Sequence, residues 1–243
     1  MKEYPIIFKP AMIPKIIDKS KTQTRRIVKL KNPDGYETVT DDGIVLVPHT
    51  ANTIERDIRC PYGKPGDLLY VKETHKLWFP INPDGSPVDG FWHVRYRVDG
   101  VERVTGCGWD EGPDYSDPVD CGLNKEPDKW RSPLFLPKWA ARIWLENKGR
   151  KAVRLQDINE DEAKAEGASM APWSIPYGAK SEGEQIYVDG REAMIETDHR
   201  PIYRNGFRTL WDKINGKRGH SWNHNDFVWA ITFELKSVNG RPE

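Results

Sequence analysis

The apolar positions of this chain change period several times. Residues 5–8 form a short apolar run, after which Met12, Ile13, Ile16 and Ile17 recur at helical spacing. A strand leading into a short helix is expected, with Pro14 tolerated because it falls in the helix's first turn. That helix must stop near Asp18 and Lys19, which leaves residues 21–24 in a loop or at the opening of a strand over 25–30. Gly63-Lys64-Pro65-Gly66-Asp67 is turn chemistry and leads into the β-type run Leu68-Leu69-Tyr70-Val71. Trp92, Val94, Tyr96 and Val98 alternate with His93, Arg95 and Arg97, and Asp99-Gly100 then turns the chain into residues 101–104. This is a hairpin with one apolar and one basic face; the basic face suits either phosphate contact or plain solvation.

Ala141, Ile143 and Leu145 alternate before Asn147-Lys148-Gly149, with Val153 and Leu155 beyond, a pattern that predicts a second hairpin. Asn159 with Glu162 reads as a capping box that opens a helix stopping at Gly167. Tyr203, Phe207, Leu210, Trp211 and Ile214 follow the stripe of an amphipathic helix closed by Gly216, and Phe227, Trp229, Ile231, Phe233 and Leu235 alternate through a long last strand. Residues 105–138 and 168–200 hold many Gly, Pro and Asp and little periodicity, so they are expected to be irregular. Many strands with few helices predict an α+β fold, mostly antiparallel and barrel-like.

At 243 residues the chain suits one large domain or two small ones, and its apolar surface is carried heavily by ten Trp, nine Tyr and seven Phe. Its 37 Lys and Arg balance 37 Asp and Glu, so there is no net field to draw in a long duplex. A local basic patch is still compatible with that balance and suits a nucleotide or a structured RNA. Cys60, Cys107 and Cys121 show no CxxC spacing, and no signal segment or long apolar run is present. A reduced cytoplasmic location without membrane contact is therefore expected, although Cys107 and Cys121 could pair on spacing alone.

The candidate chemistry lies in Lys19-Ser20-Lys21-Thr22-Gln23-Thr24-Arg25-Arg26, which places an amine three residues before a hydroxyl. Buried, or crowded by Lys19, Arg25 and Arg26, Lys21 would lose its proton near neutrality and activate Thr24 as a nucleophile; left in solvent, it is an ordinary cation. Glu166 falls in the last turn of its helix, where the dipole disfavours a carboxylate. His220 and His224 have an HxxxH spacing, but the Gly and Asn around them argue for a loop, and no metal site is expected. No phosphate-binding loop, nucleophile elbow or dinucleotide fingerprint is present, and no cofactor is implied.

Lys21-Thr22-Gln23-Thr24-Arg25-Arg26 resembles the K-T-x-T-x-R signature of the ASCH domain, within the PUA-like β-barrel superfamily. Residues 65–71 resemble that family's GD turn and barrel strand, 158–167 its helix, and 227–235 its closing strand; together with the first helix and residues 203–214 these cover roughly half the chain. The run 63–74 and the Trp211-Asp212 pair are most similar to the longer ASCH proteins of bacteriophages and prophages. The resemblance implies one PUA-like domain over 1–243, with insertions at about 32–60, 75–137 and 168–200. It also implies a hydrolase that removes the acetyl group from N4-acetylcytidine with a lysine, a threonine and a glutamate, here Lys21, Thr24 and Glu166. Lys19, Thr22, Arg25 and Arg26 would then hold the RNA or modified nucleoside. Lys19 departs from the family, whose loops often have glycine there. Two other readings stay open: a non-catalytic RNA-binding module and a ribonuclease.

Overall fold

The computed structural model describes residues 1–29, 38–39, 45–46, 58–105, 125–171, 186–188, 191–193 and 203–242. Its strands are β1 (Glu3–Ile7), β2 (Gln23–Ile27), β3 (Thr38–Val39), β4 (Val45–Leu46), β5 (Leu68–Lys72), β6 (His75–Trp78), β7 (Trp92–Tyr96), β8 (Glu102–Thr105), β9 (Trp144–Arg154), β10 (Ile186–Val188), β11 (Arg191–Ala193) and β12 (Phe227–Ser237). The α-helices are α1 (Ile13–Ile17), α2 (Glu160–Ala165) and α3 (Tyr203–Asn215). Five strands form a sheet in the order β1-β5-β9-β12-β2, in which only β1 and β5 run parallel; β6, β7 and β8 form a separate antiparallel sheet. The architecture is α+β and mostly antiparallel. Among the described residues β1 and β2 are the outer strands of the large sheet and do not pair with each other.

Alternation along β12 builds two cores at once. Phe227, Trp229, Ile231 and Phe233 bury into a cluster with Ile6, Phe8, Ile13, Ile16 and Val71, while Val228 packs on the other side with Phe207, Trp211 and Trp222. The first helix therefore belongs to one core, and α2 and α3 to the other. A third cluster joins Trp92, Val94 and Tyr96 of β7 to Leu77, Phe79, Leu136 and Trp144, which ties the small sheet to the start of β9. The segment expected as an insertion over 75–137 thus carries a packed sheet of its own. His75–Trp78 is too short an alternation to stand out in the sequence.

The hairpin predicted around Asn147-Lys148-Gly149 is not formed: β9 runs through these residues as one strand against β12. Gly149 lies opposite Thr232 and Asn147 opposite Phe233, so Lys148 is the extra residue of a bulge. Its ammonium pairs with Glu146 at 2.9 Å and Glu234 at 3.0 Å. Turn-type residues were accommodated by a bulge because β12 is long enough to pair with β9 on both sides of them. At the other end of the molecule α3 ends at Asn215, just before the Gly216 expected to close it, and a 3-10 turn (Gly216–Arg218) follows, capped by the left-handed Gly219. Gly206 sits inside α3 because a Cβ there would collide with the Ser169 carbonyl oxygen, so the helix lies directly on that backbone. No helix among the described residues is long and apolar enough to cross a membrane.

Candidate active site

The site begins where α1 ends. Asp18 caps the helix, Lys19 turns left-handed with φ at 64°, and the Lys21 amide donates to the Lys15 carbonyl at 2.7 Å. This wide turn sends the chain back beneath its own helix and carries the Lys21 side chain into the interior. Thr22 then ties three elements together: its amide donates to the Ala165 carbonyl at the end of α2 at 2.9 Å, and its carbonyl accepts from Phe233 of β12 at 2.8 Å. The predicted strand opens two residues earlier than expected, at Gln23, because β12 already offers partners there.

The capping box of α2 forms as the sequence predicts, with Asn159 Oδ1 accepting from the Glu162 amide at 2.8 Å. The first turn carries Glu160, Asp161 and Glu162, which suit the positive end of the helix. Glu166 is the C-cap, at the wrong end for a carboxylate, and it is buried at 4% exposure. Two cations offset both penalties. Lys21 Nζ donates to Glu166 Oε2 at 2.8 Å, and Arg25 Nη1 donates to Glu166 Oε1 at 3.2 Å.

Lys21, equally buried, spends all its protons. Beyond the carboxylate it donates to the Gln23 carbonyl at 2.7 Å and the Glu166 carbonyl at 2.7 Å, so its three ammonium hydrogens have three acceptors. Burial pushes its pKa below the ordinary lysine value; Glu166 pulls it back up, and the Arg26 and Arg25 guanidiniums push it down again. A lysine so placed is tuned towards giving up a proton, and on doing so it would release one acceptor and expose a lone pair.

The remaining residues of the octet divide by strand face. Gln23 and Arg25 share one face, where Gln23 Oε1 accepts from Arg25 Nη1 at 2.8 Å, and Arg25 Nη2 reaches Glu162 Oε2 at 2.7 Å. The Arg25 guanidinium thus serves the buried cluster, with the Phe207 ring 5.7 Å away, and does not face solvent. Thr24 and Arg26 are the alternate positions. Arg26 lies over the Phe8 ring at 5.1 Å and donates to the Ile7 carbonyl of β1. Thr24 is buried, and among the described residues its hydroxyl makes no hydrogen bond to Lys21 or Glu166. Lys21 and Glu166 are therefore in contact; Thr24 lies at an alternate position of the strand and is not bonded to them.

Gln23 and Glu162 complete the cluster without having been singled out by the sequence. The signals existed: Gln23 is two positions from Arg25 on a strand, and Glu162 is four from Glu166 on a helix, so each pair shares a face. A pocket of 390 Å3 opens beside the cluster, lined by Lys15, Lys19, Lys164, Asp161, Gly167 and Tyr203 among others.

The other candidates resolve differently. His220 and His224 both direct Nδ1 at Asp226, at 2.9 and 2.6 Å, His220 from a loop as expected and His224 from the end of a 3-10 turn, Trp222–His224. Among the described residues no group of three His, Cys, Asp or Glu is arranged to hold a metal ion. Of the basic face expected on the β7 hairpin, His93 is paired with Asp89 and Glu102 and Arg95 with Glu102 and Glu126, while Arg97 is exposed with no carboxylate partner among the described residues. Cys60 is a buried free thiol, while Cys107 and Cys121 lie outside the described residues. Comparison of the chain with protein-family models, curated proteins and solved structures returns no match.

Proposed function

We propose that this chain is an ASCH-type protein of PUA-like barrel form, which takes a modified nucleoside, free or within RNA, and hydrolyses an amide on its base. The observation that carries the reading is the buried Lys21–Glu166 contact of 2.8 Å, between groups 145 residues apart, with the lysine pKa lowered by burial. In the barrel reading β1 and β2 approach each other, and the bond from the Arg26 guanidinium to the Ile7 carbonyl supports that approach. Neutral Lys21 takes the Thr24 hydroxyl proton as Thr24 Oγ1 attacks the acyl carbonyl. The exocyclic base nitrogen leaves with a proton relayed through Lys21 and Glu166, and water then hydrolyses the threonyl ester. Substrate entry has to bring Thr24 into bonding with Lys21.

Incubation with N4-acetylcytidine, following cytidine release, tests this. Lys21→Ala is expected to lower kcat by about 10²–10⁴-fold, the range of a general base. No turnover by the wild type, or equal turnover by Lys21→Ala and Thr24→Ala, removes the reading. One observation favours a second function, a non-catalytic RNA-binding module: the Lys21 ammonium is saturated with acceptors, and among the described residues the Thr24 hydroxyl makes no hydrogen bond to it. That module would bind RNA without turnover and keep its affinity in Thr24→Ala.

A further inference from the structure

We propose that the 390 Å3 pocket beside the Lys21–Glu166 pair is a phosphate subsite, so that the substrate is a nucleotide rather than a free nucleoside. The phosphate would be the 5′-phosphate of a mononucleotide or a backbone phosphate of RNA. This deepens the nucleoside reading and rests on it only for the identity of the base.

Three lysines, Lys15, Lys19 and Lys164, line the pocket with one acidic residue, Asp161. Lys15 is committed to the Gly167 carbonyl at 2.5 Å. Lys19 and Lys164 are exposed and have no carboxylate partner among the described residues. Lysines without an ion pair also stand elsewhere among the described residues, Lys9, Lys29 and Lys213 for example; here two of them line the same pocket. In a chain whose charges balance, two unpaired cations on one concave surface leave a local positive potential that a dianion would fill.

Backbone strain points to the same place. Lys19 holds φ at 64°, a conformation in which glycine is relaxed and lysine is not. The strained position keeps a lysine in the pocket lining where glycine would bring no side chain. The amides that open α3 are not the anion site, since Tyr203 and Arg204 already donate theirs to Glu160 at 2.8 and 3.0 Å. The lysine side chains are left as the donors. The Tyr203 ring, 5.8 Å from Lys164 Nζ, supplies an apolar wall suited to a sugar.

Gly167 couples the pocket to the chemistry. It lines the pocket, and a Cβ on it would stand 3.1 Å from Lys15 Cδ and 3.3 Å from Lys21 Cβ. The cleft lysines and the proposed base are thus separated by little more than one glycine. A phosphate held by Lys19 and Lys164 would anchor the adjoining sugar and base against the Lys21 side.

The test titrates the full chain, by tryptophan fluorescence, with four probes: N4-acetylcytidine, its 5′-monophosphate, ribose 5-phosphate and a short single-stranded RNA carrying one N4-acetylcytidine. The 5′-phosphate is expected to tighten binding at least tenfold over the nucleoside, and Lys19→Gly and Lys164→Gln each to shrink that ratio at least threefold. Lys19→Gly should keep or raise the thermal midpoint, since glycine suits the left-handed position, so the loss cannot be ascribed to unfolding. If the RNA backbone is the source, the salt slope for RNA falls by about 0.7 for each ammonium removed and the mononucleotide gains little over ribose 5-phosphate. If a mononucleotide is the source, it binds at least as tightly as the RNA. A phosphate that adds less than twofold, or a preference untouched by both variants, overturns the subsite even where N4-acetylcytidine is turned over. Conversely, ribose 5-phosphate that binds and is lost in Lys19→Gly sustains the subsite even where no acetylated probe is hydrolysed.

Discussion

Arg142 and Lys21 are both cations taken almost out of water, at 6% and 4% exposure, and they are neutralised in different ways. The Arg142 fork meets both oxygens of Glu73, at 2.9 and 2.8 Å, and its remaining arm meets Asp99 at 2.7 Å, with the Tyr96 ring 4.2 Å below. One planar cation faces two carboxylates, and its partners raise an already high pKa. Lys21 has half of one carboxylate, because Glu166 gives its other oxygen to Arg25, and backbone carbonyls fill the rest. The first cluster fixes a charge in place. The second holds a charge that burial is already trying to expel, which is what a base requires and a structural ion pair does not.

The largest effect should come from breaking the fixed cluster. Arg142→Met leaves Glu73, 1% exposed, without a counter-charge, and is expected to cost about 3–5 kcal/mol in urea unfolding. Adding Glu73→Leu should recover most of that, and a single variant that costs under about 1 kcal/mol would undo the contrast. His75 lies alongside, its Nδ1 3.0 Å from the Glu73 carbonyl and its Nε2 buried without a partner, and burial lowers its pKa to about 4. The unfolded chain takes up that proton near pH 6.5 and the folded one only near pH 4. Stability from this group is therefore complete above pH 6.5 and lost as pH falls through that window, by on the order of 3 kcal/mol. Burial raises the Glu73 pKa and gives the opposite slope, so the measurement is the difference between wild type and His75→Asn at pH 7 and pH 4.5. Equal acid sensitivity in the two proteins would count against it.

Glu166→Gln removes the counter-charge of the second cluster and should cost less, about 2 kcal/mol at pH 7, because Lys21 can shed its proton where Arg142 cannot. The sign follows from the lowered lysine pKa. Between the folded value and the unfolded value near 10.4, the folded state binds fewer protons, so stability rises with pH across that interval. Without the upward pull of Glu166 the interval extends to lower pH. The gap between variant and wild type is expected to narrow from pH 7 to pH 9.5; a constant gap would mean that Lys21 is as fixed as Arg142.

These clusters also mark how far the sequence could be read. The stripe of α3, the capping box of α2 and the alternation of β12 are local patterns, and each produced its element. Asn147-Lys148-Gly149 misled because the same residues suit a turn or a bulge, and only the length of the partner strand decides between them. The Lys21–Thr24 spacing was visible, but the Lys21–Glu166 contact depends on the wide turn at Lys15 and on a left-handed lysine, which no periodicity encodes. Arg25 belongs to a run of basic residues whose spacing alone does not distinguish exposed from buried positions. Its burial follows from Glu162 and Glu166 sharing a helix face that meets the strand.

The smallest effect separates the helix from the cluster it supports. Asn159→Ala removes the side-chain bond to the Glu162 amide and should cost about 1 kcal/mol, typical of an N-cap. Glu162 itself is held independently, by Arg25 at 2.7 Å on one oxygen and Lys151 at 2.7 Å on the other. The far end of α2 is fixed by the Thr22 amide on the Ala165 carbonyl. Loss of the cap should therefore loosen the first turn and leave Glu166 where it is, so turnover or ligand affinity should change by less than about threefold while Glu166→Gln changes it far more. Thermal unfolding with parallel activity or binding measurements on the two variants decides the matter. If Asn159→Ala loses as much function as Glu166→Gln, the cap positions the carboxylate, and the Lys21 cluster is held by its helix rather than by its own ion pairs.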